Sequence, residues 1–337
     1  MKIAVYGAGG IGCYVGGRLA ATGSEVTLVG RQWAADEIAR NGLRLTDWQG
    51  ADLRVPAADV RFETQPSGAT EADLVLVTVK CAATAAAAEE LAAVLKPTAV
   101  VLSLQNGLHN ADVLRERLPN QVVLAGMVPF NVLKRGNGTF HQGTEGGLEV
   151  EQHPALSAYA DAFERAGLPL TQHAEILPAQ WAKMLLNLNN AVNALSNLPL
   201  RDELAQHSYR RCFAAAQAEA LSLLHAVGIV PARLVALPID RMPGLLRLPD
   251  FAFRRLARRM LAIDPVARSS MWEDLQAGRR TEVDQLNGEV VRLAASIGRK
   301  APVNQRLVEL VHEAESGGRR SWSGPDLLAA LTANLAS

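Results

Sequence analysis

The feature that most constrains this chain is a glycine-rich segment that directly follows a short apolar run at the N-terminus. Ile3–Tyr6 is fully apolar, as in a strand buried on both faces of a parallel sheet. The next six residues, Gly7-Ala8-Gly9-Gly10-Ile11-Gly12, fit the pattern G-x-G-x-x-G, and a helical stretch follows over 11–22. A strand, this pattern and a helix in that order indicate a dinucleotide-binding fingerprint.

Each glycine of the pattern has a physical task. Gly7 permits a tight turn, Gly9 lets the backbone approach a pyrophosphate, and Gly12 lets the helix pack close to the strand. The helix N-terminus offers free N–H groups and the positive end of its dipole. We therefore expect residues 7–12 to bind the cofactor; the alternative is a glycine-rich turn without a ligand.

The residues that follow the second predicted strand, Glu25–Val29, indicate whether the cofactor is NAD(H) or NADP(H). An NAD enzyme usually has Asp or Glu there to accept from the ribose 2′-hydroxyl. This chain has Gly30-Arg31-Gln32 and no acid. Arg31 could pair with a 2′-phosphate, so NADP(H) is the expected cofactor. The alternative is that Arg31 is an ordinary solvated arginine.

Strands and helices alternate through the first half of the chain. Further strands are predicted at 74–79, 99–104, 122–128 and 168–172, and helices at 84–95, 112–118 and 155–166. This alternation predicts an α/β fold, a Rossmann-like doubly wound parallel sheet. Glycines in Asn131–Val150 predict antiparallel hairpins at the edge of that sheet.

The second half is almost wholly helical in pattern, and Pro178 suits the first turn of a new helix. We expect an NADP-binding domain over 1–177, followed by an all-helical substrate and catalytic domain over 178–337.

Composition excludes several other classes of protein. Lysine plus arginine equals aspartate plus glutamate at 34 each, which argues against a nucleic-acid binder. The three cysteines are far apart, so neither a disulfide framework nor a metal site is expected.

No apolar stretch approaches the roughly 18 residues of a membrane span, and no signal peptide is recognised. We expect a cytoplasmic protein without a membrane partner; its oligomeric state stays open, with a homodimer among the options.

Polar residues follow two neighbouring predicted strands. Lys80 ends the strand at 74–79, and Asn106 and Gly107 follow the next one. Ligands bind at the carboxyl ends of strands in such sheets, so these residues could form a rim around the nicotinamide. Each alone would more often be a plain turn residue.

Taken together, the motifs resemble those of the ketopantoate reductases, also called 2-dehydropantoate 2-reductases. The resemblance rests on segments in both halves, in order: G-A-G-G-I-G at 7–12, V-T-V-K at 77–80, L-Q-N-G at 104–107, W-A-K-M-L-L-N at 181–187, S-S-M at 269–271 and T-E-V-D at 281–284. It spans nearly the whole chain and is more specific for the superfamily than for the substrate.

The resemblance implies NADPH-dependent reduction of ketopantoate to pantoate, on the route to pantothenate and coenzyme A. It implies that Lys183 is the general acid and that Glu282 lies at the junction of cofactor and substrate. Substrate contacts fall to Asn187, Ser270 and Asn106, of which Asn106 also touches the cofactor. Val132 falls where the family has a backbone contact to the cofactor, and Lys80 is a candidate cofactor contact from its place at the end of a strand.

Elementary chemistry agrees with these roles. A ketone needs hydride at carbon and a proton at oxygen, and a lysine can polarise the carbonyl and donate that proton. Lys183 and Asn187 are spaced i, i+4 and so share a helix face. The alternatives are a surface lysine for Lys183, a helix N-cap for Ser270 and a surface acid for Glu282. The predicted cofactor residues lie in the first domain, and Lys183, Asn187, Ser270 and Glu282 lie in the second. We therefore expect the active site to be an interdomain cleft.

The chain departs from the family pattern in two places. Ala191 stands where the family often has an asparagine, with Asn189, Asn190 and Asn193 nearby. The stretch 238–265 is longer than in short family members and rich in arginine; we favour a solvated helical face over a lid or an altered pocket. Two other functions stay open, a reductase of another small 2-keto acid or imine and a non-catalytic NADP(H)-binding regulator.

Overall fold

A computed structural model describes residues 1–234, 237–257 and 266–333 of the chain. The chain divides into two compact units, Met1–Gln180 and Trp181–Ser337. The first unit combines strands and helices, and the second is helical.

The first unit has twelve strands and five α-helices among its residues. The strands are β1 (Lys2–Tyr6), β2 (Glu25–Val29), β3 (Leu43–Asp47), β4 (Asp52–Val55), β5 (Arg61–Glu63), β6 (Leu74–Val77), β7 (Val100–Ser103), β8 (Val122–Met127), β9 (Val132–Gly136), β10 (Thr139–Gln142), β11 (Leu148–Glu151) and β12 (Leu170–His173). The helices are α1 (Gly10–Ala21), α2 (Gln32–Asn41), α3 (Thr84–Ala92), α4 (Asn110–Arg117) and α5 (Ala160–Arg165).

Eight strands form the main sheet, in the order β5-β2-β1-β6-β7-β8-β11-β12. The first six are mutually parallel, β11 is antiparallel to β8, and β12 is parallel to β11. The strand order reverses between β1 and β6, which is the point where such sheets bind ligands. The predicted α/β fold with a parallel sheet is confirmed.

Helices cover both faces of this sheet because its central strands are apolar on both sides. Ile3 and Val5 of β1 pack in the cluster that contains Val15 and Leu19 of α1. Ala4 and Tyr6, which point the other way, pack in the cluster that contains Leu91 of α3 and Leu114 of α4. The fingerprint helix α1 therefore lies on one face, directly after the strand that feeds it.

A second sheet has four strands, in the order β4-β3-β10-β9. The expectation that the hairpins of Asn131–Val150 lie at the edge of the main sheet was therefore wrong in part. The antiparallel hairpin of β9 and β10 forms as predicted, but β10 pairs in parallel with β3 and not with the main sheet. The missed β3–β4 hairpin supplies that partner. Only β11 joins the main sheet from the glycine-rich segment. The predicted helix at 155–166 is also shorter, because a 3-10 turn at Pro154–Leu156 precedes α5.

The second unit consists of short helices around one long helix, α9. The helices from the unit boundary onward are α6 (Leu177–Asn187), α7 (Asn189–Ser196), α8 (Leu200–Leu204), α9 (His207–Ala226), α10 (Met242–Leu246), α11 (Asp250–Leu256), α12 (Ser270–Gln276), α13 (Asn287–Ser296), α14 (Pro302–Glu315) and α15 (Gly324–Thr332). The buried amide of Gln217 on α9 donates to the carbonyl of Leu185 on α6, at 3.0 Å. This bond ties the helix of the predicted catalytic lysine to the centre of the unit.

The arginine-rich stretch 238–265 is described in part. Its arginines up to residue 257 are exposed: Arg241, Arg247, Arg254 and Arg255. Arg258 and Arg259 lie outside the described residues. Across the residues that are described, no helix is long and apolar enough to cross a membrane.

Candidate active site

The glycine-rich turn begins with a residue that only glycine fits. Gly7 has φ +118°, and a Cβ there would lie 2.6 Å from the backbone nitrogen of Val79. The N–H groups of Gly7 and Ala8 both donate to the carbonyl of Val29, at 2.9 and 3.0 Å. The turn thus connects the ends of β1, β2 and β6.

Gly12 and Gly9 have opposite surroundings. A Cβ on Gly12 would lie 2.7 Å from Oγ1 of Thr78, which itself donates to the carbonyl of Gly7 at 2.8 Å. A Cβ on Gly9 would meet only the Gly7 carbonyl, at 3.9 Å, so this side of the turn is open. Gly12 is needed for close packing, whereas Gly9 leaves room for a ligand.

The start of α1 fits a pyrophosphate. Gly9 is the N-cap residue, it has no side chain to cap the helix, and the first turn carries no acidic residue. The first N–H groups of a helix have no acceptor within the helix. Together with the open side at Gly9, they have the geometry that suits an anion, so the residues present fit the pyrophosphate that the fingerprint predicts.

Two predicted cofactor residues lie beside this turn. A Cβ on Gly10 would be 3.6 Å from the carbonyl oxygen of Val132, at the start of β9. A Cβ on Gly30 would be 2.6 Å from Cβ of Ala8, so the end of β2 runs against the turn. Arg31 follows Gly30; its side chain is exposed and makes no hydrogen bond or ion pair within the described part of the chain.

The loops after β6 and β7 are joined by side-chain hydrogen bonds. The amide of Gln105 donates to the carbonyl of Val79, at 2.9 Å, and to Oγ1 of Thr84, at 2.7 Å. The carbonyl of Asn106 accepts from Asn110 at 2.5 Å. These bonds hold Asn106 at the same edge of the sheet as Lys80, whose side chain is exposed at the end of the β6 loop. Sequence analysis missed the role of Gln105, which only the pairing of β6 with β7 makes visible.

In the second unit, Lys183 and Asn187 lie one turn apart on α6. The neighbours of Lys183 in sequence, Ala182 and Met184, are buried, and Lys183 itself is half-buried. Burial lowers the pKa of the Lys183 ammonium to about 8, because the charged form loses its hydration. A lysine with that pKa can give up a proton near neutral pH, unlike an ordinary surface lysine.

Ser270 is the first residue of α12, and it is exposed. The helix N-cap is its neighbour Ser269, whose hydroxyl accepts from the N–H of Trp272 at 3.1 Å and donates to the carbonyl of Asn190 at 3.3 Å. The alternative of a capping role for Ser270 is therefore wrong. Ser269 also links the start of α12 to α7.

A buried hydrogen-bond network around Glu203 accounts for two of the asparagines near Ala191, namely Asn189 and Asn193. This network was not predicted from the sequence. Asn193 is fully buried; its amide donates to Glu203 at 2.7 Å, and its carbonyl oxygen accepts from the N–H of Ser269 at 2.9 Å. Asn189 also bonds to Glu203, and Ala191 is buried. Asn193 thus fixes the turn before Ser270, and Asn189 joins Asn193 in holding Glu203. Asn190 is half-buried.

Glu282 directly precedes a 3-10 turn, Val283–Gln285, and is half-buried. The residues on either side of it are held by α14. His312 contacts Asp284 and Glu315, at 3.0 Å each, and the Glu315 carboxylate accepts from the N–H of Thr281 at 2.7 Å. The hydrogen bond to Glu315, with a smaller contribution from Asp284, raises the pKa of His312. This network fixes the backbone that carries Glu282.

Comparisons with known proteins give the class and then the family. The family described as ketopantoate reductase PanE/ApbA matches residues 3–155, and its C-terminal family matches residues 175–315. These matches and the fingerprint define the class, an oxidoreductase that uses a nicotinamide dinucleotide. The chain belongs to the ketopantoate reductase family, as its motifs predicted.

Individual relatives match the chain almost from end to end. A 2-dehydropantoate 2-reductase of Halobacterium salinarum is 32% identical over 94% of this chain and 100% of its own length. The crystal structure of a PanE/ApbA family ketopantoate reductase from Ralstonia eutropha is 34% identical, with a TM-score of 0.79 over 94% of this chain and 99% of that one. A D-mandelate dehydrogenase solved with NADH and anilino(oxo)acetate shares the fold at 21% identity, with a TM-score of 0.74 over 94% and 99% of the two chains.

We predict that Glu203→Gln changes how stability depends on pH. Burial raises the pKa of Glu203 to about 8, against the hydrogen bonds from Asn193 and Asn189, so the folded state holds a proton that the unfolded state releases near pH 4.5. This group is at its most stabilising at low pH, and its contribution is lost as pH rises to about 8. Glutamine cannot ionise, so the free energy of unfolding of the variant should gain on that of the native protein across this range.

Urea unfolding at several pH values, followed by circular dichroism, measures this difference. Asp202→Asn is the matched control, because Asp202 is the adjacent acidic residue and is exposed. Parallel stability curves for the native protein and Glu203→Gln would contradict the protonated state of Glu203.

Proposed function

We propose that this chain reduces 2-dehydropantoate (ketopantoate) to pantoate with NADPH, in pantothenate and coenzyme A biosynthesis. The observation that carries the proposal is Lys183, a lysine whose pKa burial lowers to about 8, one turn from Asn187 on the same helix. An ammonium of that acidity and a neutral amide donor are what a ketone needs as its carbonyl oxygen becomes an alkoxide.

The roles of this chain's residues follow from their chemistry. The nicotinamide supplies the hydride when NADPH is bound. Lys183 polarises the carbonyl of the substrate and donates its proton to the oxygen. Asn187 and Ser270 donate hydrogen bonds to the substrate without adding charge, and Asn106 contacts both ligands. Glu282 accepts hydrogen bonds at the junction of cofactor and substrate and orients Lys183 or the ribose.

NADPH is the proposed cofactor because of what stands after β2. Arg31 is exposed beside the glycine-rich turn, and the end of the strand offers no carboxylate to a ribose 2′-hydroxyl. A guanidinium pairs well with a 2′-phosphate. The turn at residues 7–12, the backbone of Val132 and the side chain of Lys80 complete the proposed cofactor site.

A related substrate is the nearest alternative, and Ala191 is the observation behind it. The family asparagine is absent there, and Asn189 and Asn193 are bonded to Glu203. The end of the substrate away from the keto group would then meet different contacts, as in a reductase of another small 2-keto acid or of an imine.

A panel of 2-keto acids, assayed by the loss of NADPH absorbance, tests the proposed function. Ketopantoate should be reduced with the highest kcat/KM. Faster reduction of another keto acid would replace the substrate and keep the chemistry. NADPH binding without turnover of any panel member would favour the non-catalytic regulator instead.

We predict that Lys183→Ala lowers kcat by roughly 10²-fold or more, in line with the loss of a general acid. In the native enzyme, the rate of reduction should fall as pH rises through about 8, because Lys183 loses the proton that it donates. Steady-state kinetics from neutral to alkaline pH measures both effects.

Lys300→Ala, which removes an exposed lysine of the same unit, is the matched control and should leave kcat unchanged. A Lys183→Ala enzyme with near-native turnover, or a native pH profile without a fall near that pKa, would refute the general acid.

We predict that Arg31→Ala weakens the binding of NADPH by about tenfold or more and leaves the binding of NADH almost unchanged. The reason is that only NADPH carries the 2′-phosphate. Titration of nicotinamide fluorescence gives both dissociation constants. Arg40→Ala removes an exposed arginine at the end of α2 and should affect neither cofactor. Equal losses for the two cofactors would contradict the assignment.

A further inference from the structure

Lys134 lies against the glycine-rich turn, although no motif of the sequence points to it. A Cβ on Gly10 would be 3.7 Å from Cε of Lys134, beside the carbonyl of Val132. Gly10 is the first residue of α1, where the dinucleotide-binding arrangement holds a pyrophosphate. The long side chain of Lys134 therefore ends next to the place where an anion is expected.

The ammonium of Lys134 is held by an aromatic ring. Its Nζ lies 4.7 Å from the centroid of Trp33, a cation–π contact. Trp33 is in the first turn of α2, two residues after Arg31, and 52% of its surface is exposed. Three separate segments thus meet at one point: the start of α1, the start of α2 and strand β9.

The charge of Lys134 is not neutralised locally. Lys134 is exposed, and no carboxylate of the described residues forms an ion pair with it. Its positive charge reaches the first turns of α1, where it lowers the pKa of Cys13 against the larger effect of burial and the smaller, opposing effect of Glu37. An unpaired cation beside an uncapped helix N-terminus adds to the positive field of the helix dipole.

We propose that Lys134 binds the pyrophosphate of the dinucleotide and that Trp33 positions its ammonium. The inference rests on the proposed function, since it assumes a nicotinamide dinucleotide at residues 7–12. It separates two tasks: Arg31 selects the 2′-phosphate, whereas Lys134 contacts the part that NADPH and NADH share.

The test compares Lys134→Gln with Lys134→Arg in fluorescence titrations of NADPH and NADH, without substrate. Lys134→Gln should weaken both cofactors by a similar factor, roughly tenfold or more, as expected for a lost charged hydrogen bond. Lys134→Arg keeps the charge and should restore most of the affinity. Arg135→Gln is the matched control, because Arg135 is the next residue of β9 and lines a groove with Arg44 and His141 instead.

Each outcome decides one question. Unchanged affinity of Lys134→Gln for both cofactors overturns the proposal, and a loss confined to NADPH overturns the pyrophosphate assignment. A native protein that binds neither dinucleotide refutes the proposed function itself, and this inference with it. Unchanged thermal unfolding of the variants shows that the exposed substitution leaves the fold intact.

The positioning role of Trp33 has its own readout. Trp33→Leu should weaken both cofactors, by less than Lys134→Gln does. In the Lys134→Gln background, the same change should have no further effect, because the ring acts through the ammonium. An additive loss in the double variant would instead show that the indole contacts the cofactor directly.

Discussion

The close contact of Gly7 and Gly12 with the end of β6 is the constraint on which the first unit depends. A side chain at either position would collide with the backbone of Val79 or with Thr78. Because both are glycines, α1 begins directly over the end of β1 and packs against the sheet. The open side at Gly9 adjoins the end of β2, which runs against Ala8, and the start of β9, where the carbonyl of Val132 lies beside Gly10. The packing of α1 and the proposed anion site therefore depend on the same backbone arrangement.

Desolvation works in opposite directions on two buried ionisable groups of the second unit. It lowers the pKa of Lys183 and raises the pKa of Glu203, both to about 8, since each loses hydration of its charged form. The consequences differ with position. The raised pKa of Glu203 favours its protonated form, and its bond to Asn193 supports the turn before Ser270. At Lys183 the lower pKa makes the ammonium a stronger acid than that of an ordinary lysine. The same physical effect thus favours the protonated form of a carboxyl group at one residue and is proposed to create an acid at the other.

The sequence predicted the parallel sheet, the fingerprint and the helical second half, because these follow from short-range patterns. Gly7–Gly12 carries its own context of strand and helix, and β1, β6 and β7 are continuous apolar runs. The second sheet was not predicted, because β3 and β4 are short segments of four or five residues and β10 finds its partner almost a hundred residues away. Lys134 was not recognised as a candidate cofactor residue for the same reason. Its contact with Trp33 joins two segments whose approach only the tertiary fold determines. The sequence suggests Asn193 as a replacement for the family asparagine that is missing at Ala191. Only the structure shows that Asn193 bonds to the buried Glu203.

In the proposed reaction, this chain transfers hydride from NADPH to the keto carbon of a small 2-keto acid. The most direct measurement uses NADPH in which deuterium replaces the C4 hydrogen that is transferred. Ketopantoate is the acceptor, and mass spectrometry measures the deuterium in the product. We expect pantoate with one deuterium at C2, formed readily by the native protein and at a greatly reduced rate by Lys183→Ala. Product without deuterium, or no hydroxy acid from ketopantoate or any related keto acid while NADPH stays bound, would contradict it.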